Sequence, residues 1–245
     1  MKDKKIILAS AAALIALLIV GGFLAFKKPE KEENKPTPTA DAIKFKEEYE
    51  KLNGTIRESD GAKYNSITIP EDNPIKYVDA KGALEVLKNE TAIIYVGAEW
   101  CPWCRNAVPV LFDAIKDTNM KTVYYLNLDK EKDSFEVQDG KLVKTVNGTD
   151  AYYELLDFLS DYLRDYIITQ DGKKYDTHEK RIYMPFVIAA KNGKVEGTVG
   201  GTVSLDEGQT KYDAMTDKQT KEVYNNYVDL IKKIIPSGNC DDDCN

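Results

Sequence analysis

Residues 92–111, AIIYVGAEWCPWCRNAVPVL, join an apolar strand-like run to a helical pattern across two cysteines spaced C-x-x-C. Few architectures accommodate that arrangement. Ala92 to Val96 reads as a buried strand ended by Gly97. Val108, Leu111, Phe112 and Ile115 recur at helical spacing, so Cys101 falls where a strand turns into a helix. A thiol in that position faces unpaired N–H groups and the positive end of the helix dipole, which stabilise its thiolate. Cys104 lies one turn further on, where it can attack a mixed disulfide formed by Cys101 and release the attached molecule. Cys101 is therefore the candidate nucleophile, helped into view by Pro102, and Cys104 the more buried resolving thiol. Trp100 and Trp103 flank them as candidate docking-surface residues, although a core aromatic is the plain alternative for Trp100.

Cysteine use is sparse and paired, Cys101 with Cys104 and Cys240 with Cys244. A core of this size must fold without a disulfide framework, so the thiols are better suited to chemistry than to stapling. Half a zinc site is the structural alternative for a C-x-x-C, with Cys240 and Cys244 as the other half. The strand–helix context argues against it, and neither a metal nor a cofactor is expected. The CDDDC segment at 240–244 reads as a local disulfide or idle thiols in an acidic tail, with a candidate accessory dithiol as the alternative. Residues 237–245 are polar and glycine-bearing, and are expected to be mobile. The single histidine, His178, sits in a polar stretch and reads as a surface residue.

Residues 6–26 carry no charge over 21 positions, enough to cross a bilayer. Signal-peptide apolar cores are shorter, about 7–15 residues, so an uncleaved anchor is favoured over a leader. Lys2, Lys4 and Lys5 precede the run and favour retention of a short basic stub in the cytoplasm. Residues 1–28 are thus read as stub and anchor. Charged, proline-bearing residues 29–40 are a solvated linker, and 41–236 one extracytoplasmic domain. A net charge of −7 argues against a nucleic-acid partner.

Within that domain the pattern predicts helices over 41–52, 80–89, 105–118, 151–168 and 217–235. Strands are expected at 67–70, 75–79, 92–96, 122–128, 183–190 and 194–199, the last two joined through Asn192-Gly193. Residues 130–150 and 171–181 read as polar, turn-rich loops. Pro109 should kink its helix. Strands alternating with helices before a closing hairpin and helix give an α/β fold with a mixed sheet.

With those segments placed, the chain resembles the thioredoxin superfamily over roughly residues 75 to 236. AEWCPWC, Pro109, YLNLD at 125–129, MPFVIAAKNGKV at 184–195 and Gly200-Gly201 all match in letter and spacing. The resemblance implies a central mixed sheet flanked by helices, with a helical insertion at about 130–182 before a cis-proline strand. It also implies that Met184-Pro185 is cis, placing the Met184 backbone beside Cys101 as a client-docking edge. YNSITIPEDNPIKYVDAKGALEVL followed by CPWCR, Val108, Pro109 and Leu111 looks, more loosely, like bacteriocin-transport accessory proteins of Gram-positive bacteria. The chain departs from thioredoxins where they keep a buried aspartate and a lysine implicated in deprotonating the resolving cysteine. Tyr95 and Tyr125 stand there, leaving no assigned proton acceptor.

The reading is an anchored thiol–disulfide oxidoreductase acting on protein dithiol or disulfide clients and reset by a separate redox partner protein. The dipeptide Pro102-Trp103 does not fix whether it reduces or oxidises. The rival is a non-catalytic accessory module that docks a secretion or bacteriocin-transport partner.

Overall fold

The computed structural model of the protein describes residues 37–235. The apolar run 6–26, most of the linker and the Cys240/Cys244 tail lie outside the described residues. Among the described residues no helix is long and apolar enough to cross a membrane.

Helix α1 (Ala40–Glu50) opens the fold, its first turn closed by the Thr39 side chain accepting from Ala42 N–H. Strand β1 (Ile75–Val78) follows, then α2 (Ala80–Asn89) capped by Asp79, β2 (Ala92–Val96), α3 (Pro102–Asp117) and β3 (Val123–Leu126). After β3 come two hairpins around a short helix: β4 (Ser134–Gln138) with β5 (Lys141–Val146), α4 (Asp150–Phe158), then β6 (Arg164–Gln170) with β7 (Lys173–Arg181). The chain closes with β8 (Phe186–Lys191), β9 (Lys194–Gly200) and α5 (Asp217–Lys232).

Strands β1, β3, β2, β8 and β9 lie side by side in that order, and each hairpin of the insertion forms its own two-stranded sheet. Strand β3 runs parallel to β1 and β2, whereas β8 is antiparallel to β2 and β9. Central β2 is buried at all five positions, as a strand covered on both faces must be. Its side chains alternate between two cores. Ile93 and Tyr95 meet α1, α3 and α5 through Phe45, Tyr49, Val108, Leu111 and Tyr227. Ile94 and Val96 meet α2 and α4 through Leu84, Leu87, Tyr152 and Leu155. Pro109 lies inside α3 as expected. The β8–β9 turn places Asn192 at φ 51° and Gly193 at φ 82°. A Cβ on Gly193 would stand 2.8 Å from the Lys88 carbonyl oxygen, so this turn needs glycine for space as well as for conformation.

The insertion departs from its sequence reading. The helix expected over 151–168 ends at Phe158, and 164–170 is strand β6. Ile167, Ile168 and Thr169 are β-branched and favour the pleated conformation once the leucine periodicity runs out after Leu159. Both polar loops are hairpins instead. Each turns on an Asp-Gly step with both residues at positive φ, Asp139-Gly140 at 49° and 71° and Asp171-Gly172 at 50° and 75°. The insertion is thus a nine-residue α-helix, extended by a 3-10 turn at Ser160–Tyr162, between two hairpins. Residues 67–70 pair with no strand; their backbone N–H groups donate to side chains of α1 and of the turn after it, Ile67 N–H to Asn53 and Ile69 N–H to Glu50.

A buried charge cluster ties the two hairpins together. Asp133 is fully buried, and the Arg181 guanidinium donates to its Oδ1. Lys144 reaches Glu179 at 2.6 Å and Asp133 Oδ2 at 3.9 Å. Burial and the neighbouring Glu179 carboxyl push the Asp133 carboxyl up to about 6, while its cationic neighbours oppose that rise. Because the folded value exceeds the ordinary 3.8, protonated Asp133 favours folding fully at acid pH, and that contribution fades as pH rises through about 6. Glu179, held low chiefly by Asp133 and Lys144 against the cost of burial, has the opposite sign. Asp133→Asn should therefore remove the loss of stability contributed by Asp133 between pH 3.8 and about 6. Denaturant titrations across that window check this; an unchanged pH slope would show that Asp133 does not titrate there.

Candidate active site

Strand β2 ends at Gly97 and the chain crosses through Ala98, Glu99 and Trp100 to α3, whose N-cap is Cys101. Pro102 occupies the first helical turn, where its missing N–H costs no hydrogen bond. The Cys101 sulfur accepts from the Cys104 N–H at 3.4 Å, capping the helix as a hydroxyl would. Both thiols are unbridged.

Geometry separates their chemistry. Cys101 is 6% exposed and Cys104 is 0% exposed. The Cys104 thiol, as hydrogen-bond partner, draws the Cys101 pKa below its usual range against the cost of burial. The N–H groups of Cys104 and Trp103 and the charge of Arg57 add to this. Burial pushes Cys104 well up, and the facing Cys101 sulfur pushes it further. The asymmetry is the one expected of a nucleophile and a resolving thiol. Pro102 is itself buried, so the thin access to Cys101 comes from the rim around it rather than from a projecting motif.

That rim is where the sequence placed it. The Met184–Pro185 peptide is cis, and the Met184 carbonyl oxygen lies 3.9 Å from the Cys101 sulfur. Trp100, Trp103 and Met184 pack as half-buried neighbours against Ala98, Cys101 and Cys104. The Trp100 indole N–H donates to Asp129, and the Lys132 ammonium sits 5.3 Å over its ring. Beside these side chains a cavity of about 240 Å³ is lined by Trp100, Met184, Tyr183 and the insertion residues Lys132, Tyr166 and Arg181. Tyr166, expected on a helix, instead reaches this wall from β6, with the Arg181 guanidinium 4.3 Å above its ring.

Two arginines were not singled out in advance. Arg57 donates to the Trp100 carbonyl at 3.4 Å and bears on Cys101 electrostatically. Arg105 is 0% exposed and faces no carboxylate at bonding range; it donates instead to the Tyr49, Glu99 and Asn65 carbonyls and the Asn53 side chain. It ties the motif helix to α1 and the segment that follows. A signal existed for Arg105. It occupies the inward stripe shared by Cys101, Val108 and Phe112, where a charged side chain is out of place. Cys240 and Cys244 lie outside the described residues. Among the described residues no cluster of three or more His, Cys, Asp or Glu side chains is arranged to hold a metal ion.

No family model matches the chain, and no curated protein matches it. Solved structures do. It is similar to the oxidised thioredoxin from Plasmodium falciparum, at 16% identity over 63% of this chain and 98% of that one, with a TM-score of 0.30. It is also similar to thioredoxin O2 from Arabidopsis thaliana in its oxidised state, at 14% identity over 55% and 85%, with a TM-score of 0.28. The fold is α/β and thioredoxin-like. The strand order, the antiparallel β8–β9 pair, the cis-proline and the dithiol at the start of α3 carry that assignment.

Proposed function

We propose that the protein is a membrane-anchored, extracytoplasmic thiol–disulfide oxidoreductase of a Gram-positive-type bacterium, acting on protein disulfides through Cys101 and Cys104. One observation carries the reading: a sulfur that caps a helix N-terminus and lies 3.9 Å from a backbone carbonyl, with a second, fully buried thiol behind it. In the reducing direction, the Cys101 thiolate attacks one sulfur of a client disulfide and expels the other as a thiolate. Cys104 then attacks Cys101, closing the intramolecular disulfide and freeing the client. A separate dithiol protein resets the pair, and in the oxidising direction the same steps run backwards. The client's extended backbone is received along the Met184–Pro185 edge, with Trp100 and Trp103 forming the facing surface and Pro102 buried behind them. The location follows from the uncharged run 6–26 and the basic residues before it.

The test is reduction of insulin by the full-length chain in detergent with dithiothreitol as donor. Turnover well above the reagent background, lost in Cys101→Ser, is the expected result. Absence of turnover with a properly folded protein would favour the non-catalytic accessory module. Fractionation of expressing cells addresses the anchor, since a soluble protein beginning near residue 27 would show that the run is cleaved.

A further inference from the structure

We propose that the cavity beside Cys101 is a client-binding subsite that receives an acidic side chain flanking the client's disulfide cysteine, with Lys132 and Arg181 holding its carboxylate. The proposal rests on the thiol–disulfide reading above and names the class of client that the site prefers.

The cavity is placed to read a neighbour of the reacting sulfur. At about 240 Å³ it is smaller than the roughly 300–1,000 Å³ of a whole small-molecule site and suits a single side chain. Met184 and Trp100 line it. The same two residues pack against Cys101, and the Met184 carbonyl oxygen stands 3.9 Å from its sulfur. An extended client advances about 3.3 Å per residue along that edge, with successive side chains on opposite faces. A residue one or two positions from the client cysteine therefore falls at the mouth of the cavity.

Charge decides what enters. The insertion contributes Lys132 and Arg181 to the wall, and among the described residues no carboxylate lines it. The fold holds both cations in place. The Lys132 ammonium sits 5.3 Å over the Trp100 ring and donates to Asp129 at 2.5 Å. An ammonium carries three N–H groups, so donors remain for a ligand. The Arg181 guanidinium lies 4.3 Å above the Tyr166 ring, and its Nη1 donates to Asp133 and to the Tyr152 hydroxyl. Among the described residues every side-chain hydrogen bond of Arg181 leaves from Nη1. The Nε–Nη2 edge, a fork that matches a carboxylate, is kept in reserve.

Other occupants fit less well. An aromatic or aliphatic side chain would match Trp100 and Tyr166, but it would strip water from two cations and give them no acceptor. A basic side chain would meet like charge. A carboxylate supplies the acceptor while its methylene stem packs on the aromatic walls. Stacking and pairing already fix both cations, so little side-chain freedom is lost on binding. The chain as a whole carries a charge of −7, so an acidic client gains nothing from long-range attraction and is selected at contact.

The test uses the reduced full-length chain in detergent, with Cys240 and Cys244 replaced by serine, and short peptides capped at both ends. Each peptide carries one cysteine as a mixed disulfide with 2-thiopyridine. Glutamate, glutamine, phenylalanine or lysine stands immediately before or after that cysteine. The Cys101 thiolate attacks the peptide sulfur, the bond to the pyridyl sulfur breaks, and the leaving group takes a proton as pyridine-2-thione, which absorbance follows. Rates with protein in excess are divided by those of the same peptide with dithiothreitol, which cancels intrinsic reactivity. Glutamate should outpace glutamine by about tenfold at one of the two positions. Salt at about 1 M should narrow that ratio. Lys132→Gln should reduce it to about threefold, and Lys132→Glu should turn the preference towards lysine. Arg181→Lys should also narrow it, by losing the fork; if that variant does not fold, the Lys132 variants decide. Equal rates for glutamate and glutamine at both positions overturn the proposal, as does a phenylalanine peptide faster than either or a ratio unchanged in Lys132→Gln. Any of these with insulin still reduced overturns this inference alone. No thione release and no insulin turnover would sink the oxidoreductase reading with it.

Discussion

Replacing Cys101 with serine is expected to reduce disulfide exchange to the uncatalysed background, while replacing Cys104 should leave the protein covalently joined to its clients. The difference follows from access and charge. Only Cys101 caps α3, lies beside the Met184 carbonyl and has its thiolate favoured by neighbouring donors. A serine hydroxyl there is a poor nucleophile. Cys104 is sealed from solvent and cannot meet a client sulfur first, so its loss spares capture and blocks release. Non-reducing electrophoresis of whole extracts from cells expressing each variant shows the result directly, as client adducts that collapse on reduction. Adducts formed through Cys104 in the Cys101→Ser protein would reverse the assigned roles.

The second large effect is structural and centres on Arg105. Its guanidinium is enclosed and its charge is shared among three backbone carbonyls and one amide oxygen. Methionine in its place would fill part of the volume and strand those acceptors, each at a cost of about 1–3 kcal/mol. Relaxation and water entry recover some of this, so Arg105→Met should lower the unfolding free energy by about 3–5 kcal/mol. Lysine keeps the charge but lacks the fork that spans Asn53 and Asn65, so it should restore stability only in part. Equilibrium denaturation measures the loss. Limited proteolysis should find new cleavage between 51 and 70, because that segment is held to α3 through Arg105. Stability within about 0.5 kcal/mol of the parent, the range of ordinary surface changes, would show that the network is replaceable.

The central sheet was legible because its signals are strong and local. Five consecutive apolar residues announce β2, leucine spacing announces α2, and Asn192-Gly193 announces the last hairpin. The insertion was misread although two Asp-Gly steps carried the same conformational message as that Asn-Gly. Their flanks are polar on both faces, β5 being exposed at five of its six positions, so no apolar alternation supported a strand. Strand β6 was absorbed into a helix because Tyr162, Leu163 and Tyr166 happened to extend the spacing begun by Leu155. The dithiol was readable from its spacing, whereas the cis-proline edge was expected only through the resemblance. The paired hydroxyls of Tyr49 and Tyr95 and the two arginines were not readable, since their meaning depends on partners 40 to 60 positions away, such as Tyr49 for both Tyr95 and Arg105.

The strand order also sets a timetable for the nascent chain. Strand β2 acquires its antiparallel neighbour only when β8 has been made, and Phe186 follows Leu126 by the whole length of the two hairpins. Until then β2 is an uncovered edge of apolar residues, the kind of surface that recruits foreign strands. The hairpins pair within themselves through short turns and need nothing from the central sheet to form their ladders. They can fold first and shorten the effective loop that β8 must close, which lowers the entropy cost of bringing it home. An insertion that adds many residues between two adjacent strands thereby becomes a folded bridge between them.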